Sequence, residues 1–198
     1  MRSNIFKIQK GAKYLPAILK ESEKVAVYNE LNHKQTMHLR LLCEDLDGML
    51  PEIISEYTGK FWISFEKGLC KINVSIDVDD FNLKNKDQLL SVAKNKKNAA
   101  AVGVVNKIRS ALEGLFLGAD ASDMYGVPMN GYGTEAVPVQ YVDGSAYSQL
   151  WSLNNYKDAA EKKEWDELEK SVIASIADDI IVGIKGKHAD IIIVKKFY

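Results

Sequence analysis

Between Leu69 and Val78 the chain alternates with a period of two. Cys70, Ile72, Val74, Ile76 and Val78 are apolar, and Lys71, Asn73, Ser75 and Asp77 between them are polar. Successive strand side chains point to opposite faces, so this stretch reads as a strand with one buried face and one wet face. Glu66-Lys67-Gly68 in front of it reads as a turn, and Phe61 to Phe65 as the partner strand of a hairpin. A second hairpin has another character. Ile180 to Ile184 and Ile191 to Val194 are apolar at nearly every position, with the polar stretch 185–190 between them. Strands apolar on both faces belong in the middle of a sheet.

The helical signal is strongest where Leu39, Leu42, Cys43, Leu46, Met49, Leu50, Ile53 and Ile54 recur at steps of three and four. Glu44, Asp45, Asp47 and Glu52 fall outside that stripe, and Pro51 should kink the helix or end it early. A short strand is expected over Ile5 to Gln9, and a helix from Pro16 to about Leu31. Residues 87–117 carry a further stripe of Val102, Val105, Ile108, Leu112, Leu115 and Phe116, weakened by Gly103 and Gly114 at about 1 kcal/mol each relative to Ala. Tyr156 to Asp178 returns to helix, with Trp165, Leu168, Val172, Ile173 and Ile176 inward. Gly118 to Asn155 has no sustained period but is rich in glycine and tyrosine, which reads as a long, partly ordered cover. The expected fold class is α+β: a mixed sheet of about five strands with helices packed on one face, a two-layer α/β sandwich. It forms one domain over 1–198, with 118–155 as a lid-like loop.

Composition narrows the function classes. With 26 Lys+Arg against 27 Asp+Glu, there is no simple electrostatic case for nucleic acid or an anionic membrane, and neither is expected as a partner. Ile191 to Val194, the longest apolar run of the closing strands, is far too short to span a bilayer. Two cysteines, and no signal-type apolar core after Met1, point to a reducing, cytoplasmic setting. His33 and His38 are five apart, which does not stack two ligands on one helix face. Cys43 and Cys70 each sit on an apolar face, so no metal site is expected. Charge is segregated along the chain: 84–109 is basic and 41–80 acidic. These regions fit internal complementarity, a phosphate clamp by the lysines, or a contact between two copies.

An acidic helix, a hairpin ending in aspartates, a helix with a long segment after it, then helix and hairpin resembles the histidine-kinase-like ATPase (GHKL, or Bergerat) fold over roughly 33–198. In that family the first helix carries an acid and, four residues on, an asparagine that holds Mg²⁺ between the phosphates. Glu44 matches the acid and Gly48 the asparagine position. Gly48 has no oxygen to offer a metal, so Mg²⁺ in the usual mode and efficient hydrolysis are not expected. The family's V-x-D motif, whose aspartate reads the adenine amino group, is matched by Val78-Asp79-Asp80 through Asp80. Its glycine-rich phosphate segment is matched by Gly131-Tyr132-Gly133-Thr134. The resemblance implies a ligand-binding or signalling module that takes ATP or ADP without efficient hydrolysis. Glu44 and Gly48 would lie at the phosphate end, Asp80 at the base, and Gly131, Gly133 and Thr134 at the lid contact. The alternative is a protein-interaction domain that has lost the nucleotide and binds another protein or a second copy of itself.

Overall fold

The structure, a computed structural model, describes residues 1–54, 56–77, 104–112, 140–142, 145–147, 149–159, 171–185 and 188–198. Its elements run β1 (Phe6–Gln9), α1 (Leu15–Tyr28), α2 (His33–Ile53), β2 (Thr58–Glu66) and β3 (Leu69–Asp77), then helix α3 within 104–112. They continue with β4 (Gln140–Val142), β5 (Ser145–Tyr147), β6 (Gln149–Ser152), α4 (Leu153–Ala159), α5 (Val172–Ile176), β7 (Asp179–Lys185) and β8 (His188–Lys196). The architecture is α+β.

Six strands form one sheet in the order β1-β2-β3-β8-β7-β6, and β4 and β5 form a separate two-stranded ribbon. Every neighbouring pair in the six-stranded sheet is antiparallel. The expectation of a mixed sheet is therefore corrected. Two of the pairs are hairpins, and the long connection after β3 returns β8 against it in the opposite sense. The sixth strand, β6, lies inside the segment read as aperiodic, as do β4 and β5. Strands of three or four residues are too short to show an alternation. As the unbroken apolar runs imply, β8 sits near the centre, paired with β3 along nine residues on one side and with β7 along seven on the other.

The hairpin turn follows from its two residues. Lys67 and Gly68 both have positive φ, 49° and 78°, the requirement of a tight two-residue turn whose twist matches its strands. A Cβ on Gly68 would stand 2.7 Å from the Phe197 carbonyl oxygen, so glycine is needed for the close approach as well as for the angle.

One face of the sheet is the core. Ile8, Phe61, Ile63, Ile72, Val74, Ile191, Ile193 and Val182 pack there against α1 (Ile18, Val25), α2 (Leu39, Leu42, Leu46, Leu50) and α3 (Ile108, Leu112). Burying each such side chain contributes about 1.5–3 kcal/mol. α2 starts where the Asn32 side chain accepts from the Gln35 backbone N–H and Gln35 reaches back to the Asn32 N–H. This capping box stabilises the first turn by roughly 0.5–2 kcal/mol. Pro51, lacking an N–H, falls within the last turn, and the helix stops at Ile53.

Candidate functional site

The alternation that buries one face of β2 and β3 sends their polar residues to the other face, where no described helix packs. Part of this face is buried: Ile192 and Val194 form a minor apolar cluster there, with Leu69, Leu150 and Ile181 around it. The rest is an open trough of about 1370 Å³ lined by Arg2, Lys7, Lys60, Trp62, Asn73 and His188 among others.

Register sets what stands beside what. Lys7 of β1 is directly opposite Lys60 of β2, and Lys60 is directly opposite Ser75 of β3. Like charges directly opposite one another destabilise a strand pair. Both lysines are exposed, and neither makes an ion pair among the described residues. Two positions along β2, Trp62 is half-buried, and the Arg2 guanidinium carbon lies 4.8 Å from its ring centroid. A cation over an indole face is worth about 0.5–1 kcal/mol at an exposed site. Arg2 is held there by bridge pairing with Ser64. Asn73 forms the floor beside Trp62, its amide donating to the Lys71 carbonyl at 3.0 Å and the Ser64 hydroxyl at 3.3 Å.

At the far end of the trough Asp77 is satisfied on both oxygens. His188 Nδ1 is 2.8 Å from Oδ1, and the Thr58 hydroxyl donates to Oδ2 at 3.4 Å. His188, inside the polar 185–190 stretch expected to connect the two closing strands, instead opens β8, directly opposite Asp77. None of these neighbourhoods is visible as a sequence motif. The one available signal was the polar phase of the β2 and β3 alternation, with a tryptophan in it.

The residues singled out from the sequence lie elsewhere. Glu44 and Gly48 are on the side of α2 away from the buried stripe. Glu44 is ion-paired with Arg40 at 3.3 Å, and Arg40 also holds Glu23 at 2.7 Å. Gly48 is exposed, and a Cβ there would meet nothing within 4 Å. Asp80, Gly131, Gly133 and Thr134 lie outside the described residues, as do Asp79 and most of the basic 84–109 stretch. Within that stretch Lys107 stands 4.4 Å over the Tyr156 ring, and Arg109 donates to the Glu52 carbonyl.

α2 also carries acids with altered proton affinity. Burial pushes the Asp45 carboxyl up, with Glu44 adding to it. Burial pushes Asp47 up as well, against a hydrogen bond from Tyr14 that pulls it down. Tyr14 and Tyr57 share a 2.7 Å hydroxyl contact, and burial raises both phenols. This polar junction ties α1 to α2 and to the entry of β2. Cys43 and Cys70 are free and fully buried, with burial pushing the Cys70 thiol to about 12 and Cys43 well up. Among the described residues no three His, Cys, Asp or Glu side chains are grouped to hold a metal, and no helix is long and apolar enough to cross a membrane. No protein-family model, curated protein or solved structure matches the chain.

Proposed function

We propose that this chain is a ligand-binding module, that the open face of its sheet is the binding surface, and that its ligand is of the nucleotide kind. The observation that supports this reading is Trp62. A half-buried indole with Arg2 across its ring stands on the polar face of the sheet, in a trough where no described helix packs. A planar aromatic group stacks on the guanidinium plane that covers the indole, or on the indole itself once Arg2 swings aside. The nucleotide class comes from the resemblance to the histidine-kinase-like ATPases; the location comes from the trough rather than from α2.

The test is thermal unfolding with ATP, ADP, GTP or no ligand, each with and without Mg²⁺. A ligand at 100 times its Kd adds about 2.7 kcal/mol, or about 5–11 °C for a chain of this size. The W62A variant should lose the shift, and E44A should keep it. If E44A loses the shift and W62A keeps it, the ligand sits beside α2 and the open-face reading is wrong. Absence of a shift with every nucleotide at millimolar concentration overturns the nucleotide class and leaves the protein-interaction domain in its place.

A further inference from the structure

We propose that Lys7 and Lys60 form an anion subsite on this surface, taking the phosphate chain of its ligand; the inference rests on the open face being the binding surface. Two exposed cations directly across a strand pair repel each other. An edge strand often carries a lysine to discourage pairing with another chain, which accounts for Lys7 on β1. Lys60 lies one strand in and has no such task. Among the described residues, two neighbouring carboxylates are engaged elsewhere: Glu56 holds Lys10 at 2.8 Å, and Asp77 holds His188. The row across the sheet runs Lys7, Lys60, Ser75, Asp190, so its positive end is at β1–β2 and its negative end at β8. That polarity places the phosphates over β1–β2 with the Ser75 hydroxyl beside them, and Trp62, two positions along β2 from Lys60, is within reach of the ligand's ring. A phosphate between the two ammonium groups turns their repulsion into two charge-assisted hydrogen bonds.

The experiment is calorimetric titration with sodium tripolyphosphate and with ATP, against the native sequence, the double variant K7Q/K60Q, the double variant K7R/K60R and W62A. Tripolyphosphate should bind the native protein, more weakly as salt rises. Its Kd should increase tenfold or more in K7Q/K60Q and stay within threefold in K7R/K60R. W62A should retain tripolyphosphate and lose any preference for ATP over it. In the absence of ligand, K7Q/K60Q should be at least as stable as the native protein, because it relieves the repulsion; a loss of stability would overturn the inference. So would unchanged tripolyphosphate binding in K7Q/K60Q, or ATP binding that depends on Trp62 but not on the lysines; the latter leaves the open-face surface standing. If ATP and tripolyphosphate both fail to bind the native protein, the surface itself is misassigned and the subsite falls with it.

Discussion

One chemical change, Gly→Ala, is expected to act in opposite directions at two positions. At Gly59, on β2 between β1 and β3, an added Cβ would lie 2.4 Å from the Ser75 carbonyl oxygen, 3.1 Å from the Ile76 Cα and 3.2 Å from the Ser75 carbonyl carbon. All three atoms are backbone of the neighbouring strand, so no side chain can swing aside, and β2 or β3 has to move. Such overpacking costs roughly 1–3 kcal/mol. The smaller unfolded-state entropy of alanine offsets about 0.4–1 kcal/mol of it. At Gly48, inside α2 and exposed, the new methyl meets nothing within 4 Å, and the substitution should stabilise by about 0.5–1 kcal/mol. The two variants should thus differ by roughly 0.5–3.5 kcal/mol, or about 1–14 °C in Tm. Urea unfolding followed by far-UV circular dichroism measures this, an unchanged slope showing that stability has changed and not the surface exposed on unfolding. G59A as stable as G48A would refute the close strand approach. G48A that destabilises would mean that something packs on the outer side of α2, as a pocket containing Glu44 and Gly48 requires.

Glu21→Gln should cost roughly 1–2 kcal/mol at pH 7, because the carboxylate accepts from the Asn4 backbone and side chain and from Lys24 in a nearly buried place. Burial alone would raise its proton affinity, but these donors outweigh it and leave the group below its usual range. Its stabilisation is therefore present above the unfolded-chain value of about 4.3 and lost as pH falls through the folded one, so the gap between native and variant should close in acid. Asp47→Asn should behave oppositely: burial holds the Asp47 proton to higher pH than in the unfolded chain, so the native protein gains stability as pH falls through that window. The variant should be the more stable at pH 8, with the difference vanishing below about pH 4, measured by urea titration at each pH. Cys43 and Cys70 should resist a thiol reagent in the folded state and react in step with unfolding, the reaction being followed spectrophotometrically. Fast modification without unfolding would contradict their burial.

What could be read in advance is what sequence neighbours determine. The 69–77 alternation and the Leu39–Ile53 stripe survive as β3 and α2, because each is a local pattern long enough to repeat. The apolar runs of β7 and β8 placed them centrally for the same reason. β6 was missed because four residues carry no period. The trough was missed for a different reason: Lys7 and Lys60, and likewise Asp77 and His188, are remote in the chain and become neighbours only through strand register. The Arg40–Glu44 spacing of four on one helix is a local signal, whereas the link through Arg40 to Glu23 of α1 is made only by the packing of the two helices. The aspartate and glycine positions that would complete the resemblance fall outside the described residues.

The pairing of β3 with β8 also shapes how the molecule is made. Until residues 188–196 have left the ribosome, the first hairpin has an unsatisfied edge along nine residues, carrying Ile72, Val74 and Ile76 with open N–H and C=O groups beside them. The contacts that close it span more than a hundred residues, so loop-closure entropy delays them and the sheet is completed late. A nascent chain stalled before that point presents a ready template for a second nascent chain. Truncation within β8 should consequently appear in the cell as aggregation or chaperone retention of an otherwise intact N-terminal half, rather than as a folded protein short of one strand.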